Sequence, residues 1–193
     1  MRPNAVPVTL ALIVINVIVF VWDSLTNHTL LEAGAIYPPA IQAGEWWRLI
    51  TAGFLHFNLM HIGSNMLALY IAGTLVEYCY GSLRYFVIYM VALLGGDVLA
   101  YYTTISAQVA TAGASGAIMG VFGAMIVLAF KLPHIRGALL RTAVLPVILT
   151  IFIGFANTNI SMAAHVGGLV VGAAAAFLFA PVRGQDLVPV GPT

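Results

Sequence analysis

Ser115 lies in the run Gly113-Ala114-Ser115-Gly116, where an uncharged connection passes into an apolar segment, and His165 lies inside the last apolar segment of the chain. A hydroxyl and an imidazole are the two halves of an activated nucleophile, because serine attacks weakly by itself and needs a base within about 2.6 to 3.2 Å to take its proton. His61 and Asn65 stand at i and i+4, on one helical face. Both carry N–H groups that can stabilise a developing oxyanion. The backbone N–H of Ser115, at the start of its helix, is a third donor with favourable dipole sense. This constellation suits acyl transfer.

The elements that must position these groups follow from composition. With 62% hydrophobic and only 7% charged residues in 193, the chain cannot coat a water-soluble particle and belongs in a bilayer. A helix crosses the hydrocarbon core with about 20 largely apolar residues. Stretches of that kind fall at roughly 6–24, 59–79, 84–104, 115–131, 138–156 and 160–180. The expectation is an all-α polytopic membrane protein: one six-helix domain over 1–182, followed by a flexible tail over 183–193 that contains Pro189 and Pro192. The first stretch follows Arg2, lacks a small-residue cleavage site and contains Asn16, so it reads as a retained helix. Cys79 is the sole cysteine, which excludes an internal disulfide.

Positive residues collect in cytoplasmic loops. Arg2, Arg84, Lys131, Arg136, Arg141 and Arg183 fall on one side of the expected spans, and Arg48 alone falls on the other. Both termini are therefore expected in the cytoplasm, with the site opening to the extracytoplasmic side of the cell membrane. The basic residues form no stripe, so the net charge of +1 gives no reason to expect nucleic acid. At about 1.5 Å per residue, Ser115 stands roughly 24 Å above Lys131, His165 about 27 Å above Arg183, and Asn65 and His61 on the order of 24 to 30 Å above Gly81. Four polar residues from three segments thus reach one depth. Singly, Asn65 reads equally well as an interhelical hydrogen-bond link, and His61 as a satisfied core histidine.

Lateral approach is also encoded. Small residues four apart let helix backbones meet in membranes, and Gly116, Gly120 and Gly123 in one helix match Gly168 and Gly172 in another, with His165 on the same face. The glycines by themselves are as consistent with ordinary bundle packing.

Taken in order, Glu45-Trp46-Trp47-Arg48, His56 followed by His61 and Asn65, Gly113-Ala114-Ser115-Gly116, and Ala164-His165-Val166-Gly167-Gly168 with Gly172 resemble the rhomboid family of intramembrane serine proteases, in its minimal six-helix bacterial or archaeal form. The resemblance implies a Ser115–His165 dyad without an acidic third member or any cofactor. It places His61, Asn65 and the Ser115 amide around an oxyanion, with His56, Gly113, Ala114, Gly116 and Met119 lining the site and Gly120, Gly168 and Gly172 packing the dyad helices. It also implies single-span membrane proteins as substrates, cut next to a small residue, and the fifth span as their lateral gate. Members of the family carry an aromatic residue one turn after the nucleophile. Met119 stands there in this chain, and a thioether orients an imidazole less strictly.

Trp46, Trp47 and Arg48 read as interfacial anchors at least as readily as catalytic residues. Glu77 is expected to meet Arg84 or a neighbouring helix end, and Asp97, costly at mid-membrane, to be protonated or hydrogen-bonded to a neighbouring helix in a packing role. Two other classes compete. A catalytically silent relative would bind transmembrane helices without cutting them, but such proteins lack the serine or the histidine. A metal- or proton-coupled transporter built on His56, His61, His165 and Asp97 has poor support, since His56 and His61 are five apart instead of at the i, i+4 spacing of a helical zinc pair.

Overall fold

The computed structural model describes residues 6–106, 109–156 and 161–184, without the side chains of 151–156. The expected tail beyond Gly184, and position 160 where the last span was expected to begin, lie outside the described residues. Among those residues the fold is all-α. In chain order the helices are α1 (Pro7–Leu25), the short α2 (Thr29–Gly34), α3 (Pro38–Gln42) and α4 (Arg48–Thr51), then α5 (Leu59–Tyr80), α6 (Ser82–Thr103), α7 (Ser115–Lys131), α8 (Arg136–Ala156) and α9 (Met162–Leu178). By length and apolarity α1, α5 and α6 each suffice to cross a bilayer, while α7 and the helical stretch that follows it are bent by 112° at a short break. At 17 residues, α9 is at the lower limit of spanning length. The outward faces carry exposed apolar side chains such as Leu10, Val14, Ile18, Ile71 and Phe177, as lipid contact requires.

The centre of the bundle is α7. Twelve of its seventeen residues are buried, and it lies between α6, α9, α8 and α5. Its contact with α9 is made through backbone: a methyl group added to Gly168 would run into the Gly116 carbonyl, and one added to Gly172 into Gly120. Helix α6 joins the same seam, because a Cβ on Gly96 would lie 2.6 Å from the Ala164 carbonyl oxygen and one on Gly167 2.8 Å from that of Gly95. The predicted approach of the two glycine faces is present, and α6 contributes a third such face.

The ends of the helices are tied by polar contacts. Glu77 accepts hydrogen bonds from the backbone N–H groups of Val8 (3.0 Å) and Thr9 (2.7 Å) and from the Ser82 hydroxyl (2.7 Å). It therefore caps the start of α1, the helix-end partner expected for it, where a carboxylate meets the positive end of the helix dipole. Arg84 instead donates to the Ala180 carbonyl. Asp97 is buried in α6, and its Oδ2 has no hydrogen-bond partner.

The connection between α1 and α5 is an ordered unit and includes the three short helices. Trp46 and Trp47 are more than half exposed, as membrane-interface anchors would be. Arg48 corrects the anchoring expectation: it is only 6% exposed. Its Nη1 donates to the Glu32 and Ala35 carbonyls, both at 2.9 Å, and its Nε to Glu45 at 2.7 Å. A guanidinium presents five N–H donors in a rigid fork, and here that fork closes a loop whose backbone carbonyls lack partners within a helix.

Candidate active site

Three helices deliver the chemistry to one end of the bundle, and their starts differ. Helix α5 is capped by Asn58, whose side chain accepts from the His61 N–H at 2.9 Å. Helix α9 is capped by Ser161, which accepts from Ala164 N–H at 3.2 Å. Helix α7 has no side-chain cap: Ala114 stands at its N-cap and the first intrahelical bond runs from Ile118 N–H to the Ala114 carbonyl. The N–H groups of the first turn, Ser115 among them, therefore have no partner inside the helix. They sit at its positive end.

Ser115 Oγ lies 2.8 Å from His165 Nε2, across a separation of 50 residues. For Nε2 to accept the hydroxyl proton, the neutral ring must carry its own hydrogen on Nδ1. Nδ1 is buried and has no partner. Among the described residues, no acidic group meets it. Ala164 and His165 are packed where α9 passes Gly96 and Gly116.

His61 and Ser115 flank Gly113. A Cβ placed on Gly113 would be 2.7 and 2.8 Å from His61 Cε1 and Nε2 and 3.7 Å from Ser115 Oγ. Gly113 has φ +136°, a conformation that residues with a Cβ rarely adopt. Its requirement for glycine is thus twofold: backbone and space. His61 also meets the His56 ring edge-on at 5.0 Å and stacks against Phe57 at 6.1 Å. One turn further along α5, Asn65 uses one amide N–H on the His61 carbonyl at 3.0 Å, which leaves its second for another acceptor.

His56, Asn65 and His165 are buried, whereas Ser115 and His61 are half-buried. Both ring nitrogens of His56 lie within the protein without hydrogen-bond partners. Burial pushes its pKa from 6.5 down to about 3, and the nearby His61 adds to that shift. Met119 and Ala114 are buried in the main core beneath Ser115.

Sequence reasoning missed how the Ser115 loop is held. Ile36 and Thr111 exchange two backbone hydrogen bonds, of 2.8 and 2.9 Å, and Gly113 N–H donates to the Ala52 carbonyl at 2.9 Å. The strand-like turn leading into Ser115 is therefore pinned to the ordered first connection, whose own fold is closed by Arg48, by the Thr51 hydroxyl on the Gly34 carbonyl at 2.7 Å and by Trp47 Nε1 on the Ala33 carbonyl. Backbone pairing of this kind leaves no periodic signature in the residues. The nearest signal was the polar cluster Glu45-Trp46-Trp47-Arg48 in an otherwise apolar chain.

A family model described as Rhomboid domain matches residues 43–182. The chain is 40% identical to Rhomboid protease GluP of Bacillus subtilis (strain 168), over 83% of this chain and 32% of that protein. It is 31% identical to RHOMBOID-like protein 5 of Arabidopsis thaliana, over 75% of this chain and 47% of the relative. It is 28% identical to Rhomboid protease AarA of Providencia stuartii, over 88% of this chain and 71% of that one. The chain thus spans about a third and about half of the length of the first two relatives and more of the third.

Proposed function

This multi-pass membrane chain belongs to the rhomboid family, and on that premise we propose that it is an intramembrane serine endopeptidase that hydrolyses a peptide bond in or beside a transmembrane helix of a membrane-protein substrate. The observation that carries the reading is the 2.8 Å contact between Ser115 Oγ and His165 Nε2 at the uncapped start of α7.

In the proposed reaction Ser115 Oγ attacks the scissile carbonyl carbon while its proton passes to His165 Nε2. The carbonyl oxygen takes up negative charge and is met by the Ser115 N–H, with His61 and Asn65 beside it; donors of this kind are worth a few kcal/mol each. His165 then hands its proton to the leaving amine, the C–N bond breaks, and an acyl-enzyme remains on Ser115. A water molecule, deprotonated by His165, attacks the ester and restores the hydroxyl. His56, Gly113, Ala114, Gly116 and Met119 shape the surroundings, and Gly120, Gly168 and Gly172 keep the two dyad helices close. Water enters from the extracytoplasmic side, with both termini cytoplasmic, as the charge distribution over the connections supports. The substrate is a single-span protein whose helix unwinds locally, since a helical backbone holds its carbonyls in hydrogen bonds. It enters past α8, the fifth long helix.

The test is cleavage of a single-span substrate by purified protein in liposomes, alongside labelling by a fluorophosphonate. Ser115→Ala is expected to lose cleavage by about 10⁴-fold or more, and His165→Ala to lose labelling. Equal cleavage by parent and Ser115→Ala would refute the reading. A parent that binds helices but neither cleaves nor labels would mark a silent helix-binding relative.

A further inference from the structure

The seam between α7 and α9 is unusual in what it lacks. Gly116, Gly120 and Gly123 face Gly168, Gly172 and the backbone around Leu169 and Ala173. Large side chains normally lock into the grooves of a partner helix and fix its axial register. In this seam backbone lies on backbone with only small side chains between, so grips at its two ends add to what fixes the register.

One end is the site itself, where the two helices share the Ser115–His165 hydrogen bond. The other is Lys131, the last residue of α7. Its Nζ donates to the carbonyls of Ala176 (2.9 Å), Phe177 (2.8 Å) and Phe179, in and just past the last turn of α9. An ammonium has three donors, and all three are used on carbonyls at the end of α9, of which that of Ala176 also accepts the Phe179 N–H at 3.3 Å. The charge sits at the negative end of the α9 dipole. Aromatic rings wall it in, Tyr80 at 5.9 Å and Phe177 at 5.4 Å, and the Tyr80 hydroxyl donates to the same Ala176 carbonyl at 3.0 Å.

We propose that Lys131 is a positioning residue that sets the register of α7 against α9, and thereby holds Ser115 Oγ in reach of His165 Nε2 from about 24 Å away. The tripod of bonds favours one register, because a shift of one residue rise, about 1.5 Å, strains it. The same shift stretches the 2.8 Å contact to between about 3.2 and 4.3 Å, according to its direction, to or beyond the limit of a good hydrogen bond. This inference rests on the reading of Ser115 and His165 as a dyad.

The experiment follows fluorophosphonate labelling of the purified full chain, recording both the rate constant and the final labelled fraction, together with kcat and KM for cleavage. Lys131→Met keeps the apolar stem and removes the donors. It is expected to slow labelling and lower kcat by between about tenfold and a hundredfold, with KM and the labelled fraction near those of the parent. Lys131→Arg, whose guanidinium reaches the same carbonyls, is expected to restore the rate to within about threefold of the parent. A purely structural role would instead shrink the labelled fraction and leave the rate constant of the labelled molecules alone, and that result overturns the proposal. So does a Lys131→Met protein that reacts at the parental rate, or a Lys131→Arg protein no faster than Lys131→Met. If Lys131→Met does not fold, Lys131→Gln, with two amide hydrogens, takes its place; failure of both to fold makes Lys131 a folding element and also ends the proposal. A parent that neither labels nor cleaves sinks the dyad reading itself, which separates that failure from the failure of the register.

Discussion

Helices α8 and α9 both pack on α7, and they do so in opposite ways. On one side α9 lies against α7 backbone to backbone, with α6 wedged into the same seam. On the other, α8 touches the core along a single stripe, Leu139, Ala143 and Val147, four residues apart, while Val144, Leu145, Ile148 and Leu149 face outward. Contact between α8 and α9 is slight, and α8 carries Pro146 in its interior, where a backbone N–H is lost. Ser115 and His165, the proposed dyad, are thus carried by two helices whose backbones lie against one another. The helix with no catalytic side chain is attached by one apolar stripe. On the proposed reading, the closest packing lies where the proton would pass, and the looser packing lies beside it, where a substrate segment would enter.

This contrast can be broken most severely at the seam. Gly168→Leu drives a side chain into the Gly116 backbone, where nothing flexible can yield. The expected loss exceeds about 4 kcal/mol, read as failure to purify folded protein or as collapse of the thermal transition in detergent. A folded variant with a near-parental melting temperature would show that the seam is not tight. Next comes the turn before Ser115: Gly113→Ala combines an unfavourable positive φ with a collision against the His61 ring, for a cost of about 1 to 3 kcal/mol. Cleavage should fall more than stability does, because the displaced ring belongs to the site.

An effect of comparable size is expected from acid. His56, buried neutral, holds its pKa near 3 in the folded protein against 6.5 when unfolded. Between those values the unfolded chain binds the extra proton, so stability rises with pH there. The contribution is complete above pH 6.5 and drains away as pH falls toward 3. Denaturation midpoints measured from pH 7 to pH 4 should decline, and His56→Gln should flatten the decline; an unchanged slope in the variant would assign it to other groups. Smallest of all, Leu145→Ala on the outward face of α8 should move the melting temperature by the equivalent of no more than about 0.5 kcal/mol. Its use lies in the contrast with Gly168→Leu, measured in the same detergent.

What the residues revealed beforehand follows the same division. Helices in a bilayer must satisfy their own backbone and approach through small residues, so the apolar stretches, the paired glycines and the approach of His165 to Ser115 were legible. Gly95 and Gly96 carried the same signal and were passed over in favour of the neighbouring Asp97. The first connection was not legible, because Arg48 acts through carbonyls chosen by an irregular chain path, those of Glu32 in α2 and Ala35 just after it. Lys131 read as a topological marker, one positive charge among several on its side. Its grip on the end of α9 joins residues 45 or more positions apart, and no spacing rule reaches that far.

The pairing of Ile36 with Thr111 is written entirely in main-chain atoms. Its instructions are therefore indifferent to the letters at those two positions: most exchanges of side chain leave both bonds standing, while a proline at either one, or a single inserted residue in either segment, cuts or misaligns them. Variation among homologues should accordingly be generous in identity and strict in length across this crossing, so that an alignment gap there would tell more than any substitution.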